Sequence, residues 1–183
     1  MRILGIDPGS RLLGFGVVSK SGSKLSHHAY GTLRFNTKVE ANERLLEIYL
    51  GVKQLIVDHK PDQVAIEKVF FAKNAVSALK LGQARGAAIL AIVEAGLPLH
   101  EYSPNAVKQA VVGFGHADKD QVQRMISRLL GIREEDFESA DSSDALAIAI
   151  CHLHTYTYSS RIQKAVEEHG GSGKIRARVS KDL

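Results

Sequence analysis

GIDPGSRLLGFGVV, residues 5–18, decides how this chain begins. An apolar run stops at Asp7, Pro8-Gly9 turns the backbone, and a second apolar run follows at once. Two strands joined by a tight turn fit that pattern, over residues 2–7 and 12–19. Asp7 can be a turn residue, since Asp-Pro-Gly is good turn chemistry. It can also be the first member of a charged site that later segments complete. GIDPGS by itself leaves the choice open, because it also resembles the phosphate-binding hairpin of the actin and sugar-kinase ATPases.

Outward from this stretch, YGTLRF alternates and places a third strand within 24–35, so an antiparallel meander opens the fold. The period then changes. Leu45, Ile48, Tyr49, Val52, Leu55 and Ile56 share one helical face over 40–58, and Lys60-Pro61-Asp62 ends that helix. QVAIEKVF at 63–70 is the next strand and carries Glu67. A long helix is expected over 75–95, LPLHEYS at 97–103 reads as a strand, and Ser103 caps a helix that starts at Pro104. Asp118 and Gln121 match a capping box, and a last helix is expected to start near Ser142 and to include ALAIAICHLHTY. This order predicts an α/β domain with a mixed central sheet flanked by helices.

The helix over 75–95 has two stripes of apolar or small residues. Ala75, Leu79, Gly82, Gly86, Ile89 and Val93 form one; Ser77, Leu81, Ala84, Ala88, Ala91 and Ala95 form the other. They stand about 200° apart around the axis. One face suffices to cover a sheet, so the second is expected to cover another helix or a second copy of the chain.

The chain has 183 residues, enough for one full core, with a formal charge of +4. No signal peptide is expected from MRILGIDPG, and no apolar stretch is expected to span a membrane, so a cytoplasmic location is the default. The lone Cys151 lies in ALAIAIC and reads as a core thiol. Residues 1–158 are expected to form the domain. Residues 159–183 carry Arg161, Lys164, Lys174, Arg176, Arg178 and Lys181 and are expected to be a basic, flexible tail.

Four acids stand out by position: Asp7, Glu67, Asp141 and Asp144. The i, i+3 spacing of the last two puts them on the same side of a helix. Singly, each has an ordinary explanation, Asp141 and Asp144 as favourable charges at a helix N-terminus. Together they would suit hard divalent cations, and metal-dependent phosphodiester cleavage wants such a cluster.

GIDPGSRLLGFGVV, AIEKVFFAKNAVSALKLGQARGAAI, VKQAVVGFGHADKDQVQ and DSSDALAIAICH stand in the order and at the spacing of the RuvC family of Holliday junction resolvases, and residues 3–154 resemble that family throughout. The resemblance implies a ribonuclease H-like fold. It implies an endodeoxyribonuclease that nicks two strands of like polarity, symmetrically placed in a four-way junction, with Asp7, Glu67, Asp141 and Asp144 as catalytic metal ligands. The implied cofactor is Mg2+, with Mn2+ as substitute and two ions per subunit. Junction DNA, a second copy of the chain, and the branch-migration proteins RuvA and RuvB are the implied partners, in a bacterial cytoplasm. Phe70, Lys73, Asn74, Arg85, Lys108 and Lys119 are the implied DNA contacts. The length and the single GIDPGS copy argue against a two-lobed ATPase; a nuclease for a hybrid duplex and an inactive junction-binding protein are the remaining alternatives.

Overall fold

The computed structural model describes residues 1–68, 74–137 and 139–169, as backbone alone from 157 onward. Strands β1 (Arg2–Asp7), β2 (Leu12–Ser21), β3 (Lys24–Arg34), β4 (Gln63–Glu67) and β5 (Leu99–Tyr102) form one sheet in the order β3-β2-β1-β4-β5. β1, β2 and β3 pair antiparallel as the meander expected from the sequence; β4 and β5 add in parallel to β1.

Alternation along the strands gives the sheet two buried faces. Leu4, Ile6, Leu13, Val17, Val64 and Ile66 point to one side, where helices α1 (Ala41–His59) and α2 (Ala75–Glu94) cover them. Ile3, Val18 and Ala65 point to the other, beneath α3 (Pro104–Val112), α4 (Lys119–Leu130) and α5 (Ala140–His169).

The expected helix signals operate. Lys60 takes a left-handed conformation (φ 46°) and stops α1; Ser103 caps α3; Asp118 and Gln121 bond reciprocally at the start of α4. α5 starts at Ala140, ahead of the expected Ser142, because Ser139 Oγ accepts from the Ser142 amide and is itself tied to Thr32 Oγ1 on β3 at 2.6 Å. At its other end α5 continues past Tyr158 to His169, so the expected domain edge is not an element boundary. Phe70 and Lys73 lie outside the described residues.

α2 resolves the two-stripe question. Ala84, Ala88 and Ala91, joined by Ile92, are buried on the sheet, whereas Leu79 and Val93 of the other stripe are 63% and 60% exposed. Against the expectation from sequence, α2 is long and apolar enough, by length and composition, to cross a membrane. Its alanine face packs on the sheet instead.

Candidate active site

Asp7 and Glu67 are the last residues of two adjacent parallel strands. Ile6 pairs with Ile66, so the acids that follow occupy matching positions at the strands' C-terminal edge. Both belong to the alternation that faces α5, and a strand end held in a sheet fixes a side chain more tightly than a loop does.

The N-terminus of α5 is brought to the same edge by glycines. A Cβ on Gly5 would lie 2.1 Å from the Ala145 carbonyl oxygen, one on Gly14 would lie 2.0 Å from that of Asp141, and one on Gly16 would meet the Leu146 side chain at 2.8 Å. Gly5 pairs with Gly16, and Asp7 pairs with Gly14. Bare backbone across β1 and β2 is thus the seat on which α5 lies. In DSSD the two serines turn inward and are buried, with Ser142 Oγ donating to the Ser139 carbonyl and Ser143 Oγ to that of Ala140. Asp141 and Asp144 remain half-buried at the helix start.

The four carboxylates line one open pocket of about 380 Å³, together with Pro104, Lys108 and Lys119. Lys119 Nζ donates to Asp144 Oδ2 at 3.1 Å. A cation in the first turn of a helix is unfavourable against the dipole, and Asp144 offsets it. The Asp144 carboxylate holds the Lys119 ammonium above its ordinary range. Burial, then the charges of Glu67, Asp144 and Asp141, pushes the Asp7 carboxyl up to about 8, with Lys119 opposing. Glu67 is raised by burial and by Asp144, against Lys119 and Lys108.

An all-oxygen, acidic donor set fits a hard divalent cation. Among the described residues, no three Asp, Glu, His or Cys side chains are already placed to hold one ion, so the carboxylates must rotate inward to share it. Crowded carboxylates without a counter-charge repel one another, which accounts for the open arrangement.

The expected DNA contacts divide. Lys108 and Lys119 lie in the acid pocket. Arg85 lies outside the pocket's lining: its Nε donates to the backbone carbonyl of Glu67 at 3.3 Å and its Nη2 pairs with Glu101 at 2.9 Å. Asn74 caps α2, its Oδ1 accepting from the Ser77 amide at 2.8 Å. His152 is a core residue: its Nε2 donates to Gln63 Oε1 and its Nδ1 accepts from the Tyr102 hydroxyl, both at 2.7 Å, and burial with His100 alongside lowers it to about 4. Cys151 is buried, as expected.

The glycine seat and the Ser139–Thr32 anchor escaped the sequence reading. A hint was present in Gly5, Gly14 and Gly16, which share one face by strand period.

A family model described as Crossover junction endodeoxyribonuclease RuvC matches residues 3–152. A protein of that name from Geobacter sulfurreducens is 52% identical over 160 residues, covering 87% of this chain and 96% of its own. One from Acinetobacter baumannii is 48% identical over 178 residues, covering 97% and 96%. The Thermus thermophilus RuvC structure in complex with a Holliday junction substrate superposes with a TM-score of 0.82 at 36% identity, over 87% of this chain and 97% of that one. A yeast mitochondrial Holliday junction resolvase, at 14% identity and a TM-score of 0.66, shares the fold. The ribonuclease H-like architecture with its mixed sheet, the four sequence blocks and these relatives agree, and the chain belongs to the RuvC family of crossover junction endodeoxyribonucleases.

Proposed function

We propose that this protein resolves Holliday junctions in bacterial recombination and repair, by hydrolysing one phosphodiester in each of two like-polarity strands at the four-carboxylate pocket. The observation that carries the reading is the meeting of Asp7, Glu67, Asp141 and Asp144 with Lys108 and Lys119 in one open pocket at the C-terminal edge of parallel strands.

The four carboxylates would hold Mg2+, with Mn2+ as substitute and two ions during cutting. Bound there, the metal would activate water and stabilise the leaving oxygen. Asp7 and Glu67 supply the rigid side of the site, and Asp141 and Asp144 reach it from the helix. Lys119 keeps the acids partly neutralised before DNA arrives. Lys108 and Lys119 face the scissile phosphate and stabilise charge that grows on it. The openness of the pocket admits a strand of DNA. Products would carry 5′-phosphate and 3′-hydroxyl ends.

The exposed face of α2, with Leu79, Gly82, Gly86, Leu90 and Val93, would pack on its equivalent in a second copy. A two-fold contact matches the symmetry of a four-way junction. Phe70, Lys73 and Asn74 would lie toward the junction, RuvA and RuvB would be partners, and the bacterial cytoplasm would be the site of action. The basic residues from 159 onward would add phosphate contacts that do not depend on sequence.

The test is cleavage of a four-way junction, a duplex and an RNA–DNA hybrid, with Mg2+, with Ca2+ and with chelator. Paired nicks in the junction alone, in Mg2+ and not in Ca2+, are expected; loss of nicking with retained binding is expected for Glu67→Gln. Cutting confined to the hybrid would move the reading to an RNA-directed nuclease.

A further inference from the structure

A second concavity of about 270 Å³ lies beside the same β1–β2 turn, on the α1–α2 side of the sheet. Ser10 and Arg11 from the turn, Arg44 from α1, and Ser77, Lys80 and Gln83 from α2 provide its polar lining, and no carboxylate takes part. Among the described residues, the side chains of Arg11, Arg44 and Lys80 enter no ion pair. Elsewhere on this surface cations are matched: Lys53 has Glu94, Lys119 has Asp144, and Arg133 has Asp136.

Three unmatched cations gathered with two hydroxyls and an amide form a recognition surface for an anion with several oxygens. Guanidinium and ammonium groups supply charge, and the neutral groups supply oriented donors. Arg11, Ser77, Lys80 and Gln83 are exposed, which suits a chain passing over the site better than an enclosed small molecule. Ser10 and Arg11 follow Asp7 directly across Pro8-Gly9. This basic seat and the acid pocket therefore flank one strand end, on opposite faces of the sheet.

We propose that this seat binds a backbone phosphate of a junction arm, so that the DNA is gripped on both sides of the turn that carries Asp7. The proposal rests on the junction-nuclease reading. Its consequence is register: a phosphate fixed here sets which phosphodiester of the same arm reaches the carboxylates.

The test compares the full chain with an Arg44→Gln/Lys80→Gln variant and with Lys24→Gln, whose side chain sits at the β2–β3 turn. Binding to a four-way junction in Ca2+ is measured across salt concentrations. Each lost phosphate contact lowers the slope of log K against log salt by about 0.9, so the double variant should lose about two units. Lys24→Gln should keep the parent slope. The double variant should weaken binding at physiological salt at least tenfold, and at saturating protein should still nick in Mg2+. Circular dichroism checks its fold, and Ser77→Cys carrying a tethered iron chelate gives an independent readout, since the native Cys151 is buried. It should cut an arm close to the nick site.

An unchanged slope and affinity in the double variant, or chelate cuts scattered over all arms, overturns the proposal. If inorganic phosphate raises the melting temperature of the parent but not of the double variant, while their junction slopes agree, the seat takes free phosphate and the DNA assignment is overturned. Failure of the parent chain to prefer a junction over a duplex would instead overturn the underlying reading, and is seen before any variant is made.

Discussion

Gly14 lies directly beneath Asp141: a Cβ at position 14 would stand 2.0 Å from the Asp141 carbonyl oxygen. No side chain larger than hydrogen fits without lifting the start of α5. That helix start also carries Asp144, while Gly14 pairs across the sheet with Asp7. One glycine thus sets the spacing between the strand-borne acids and the helix-borne acids.

Gly14→Ala is therefore expected to harm the site more than the fold. Forcing one methyl into a packed contact costs about 1–3 kcal/mol. The displaced α5 should reduce junction nicking by about a hundredfold, as a misplacement of about 1 Å can. Chemical denaturation and single-turnover cleavage check the two effects. A variant that loses stability yet cuts at the parent rate would show that the α5 contact does not position the acids.

Asp7 stores an electrostatic cost that its removal should release. An ordinary aspartate titrates near 3.8, but the Asp7 carboxyl in the fold is raised to about 8. The folded state thus keeps a proton that the unfolded chain gives up. Without metal, stability falls as pH rises from about 4 through 8, and above 8 the full cost is present. Asp7→Asn removes this term. With chelator present, its melting temperature should exceed the parent's clearly at pH 9 and far less at pH 5, by about 2–4 °C per kcal/mol. Mg2+ should narrow the gap at pH 9 by stabilising only the parent. An equal shift at both pH values would mean that lost charge is not the cause. The variant should bind junctions and not cut them.

Arg85 offers a case where two roles can be separated. Its guanidinium spans the Glu67 backbone carbonyl and the Glu101 carboxylate, tying α2 to the end of β4. If it positions Glu67, Arg85→Ala should slow nicking about tenfold and leave junction affinity within about twofold. Glu101→Gln should do the same to a smaller degree, because the bridging partner is lost. A direct DNA contact predicts the reverse: weaker binding and a flatter salt dependence for Arg85→Ala, with no effect from Glu101→Gln.

Much of this arrangement is legible in the sequence, for identifiable reasons. The strand ends at Asp7 and Glu67, the cap at Ser103 and the box at Asp118–Gln121 are local signals, fixed by a few neighbouring residues. The acids could be paired with a chemistry because their segments match a family as well as a pattern. What escaped was tertiary. Gly14 reads as a weak strand residue until α5 is placed upon it. Arg85 reads as a surface cation until β5 brings Glu101 beside it. Ser139 is an unremarked residue before a helix until Thr32 anchors it from β3. The seat formed by Arg11, Arg44 and Lys80 joins three segments that have no sequence relationship.

The two stripes of α2 make the last prediction, because the structure tells them apart. Ala88 is fully buried against the sheet, and Ala84 and Ala91 lie with it. Gly86 has open space where a Cβ would go, between the exposed Leu79 and the exposed Leu90 and Val93. Ala88→Glu should therefore unfold the protein, since it places an unpaired carboxylate in the core. Gly86→Glu should leave the fold intact, and its helix should gain slightly because glycine is a poor helix former. If the exposed stripe joins two copies, Gly86→Glu should sediment as a folded monomer with its acid pocket unaltered. That monomer should nick a supercoiled cruciform plasmid once per encounter, giving open circles, whereas the parent dimer should cut both strands in one encounter and give linear product. Leu79→Glu, about two turns away on the same stripe, should behave alike. A folded Gly86→Glu chain that remains dimeric, or a monomer that still linearises the plasmid in a single encounter, would remove α2 from the interface and leave its exposed leucines and valines to another partner.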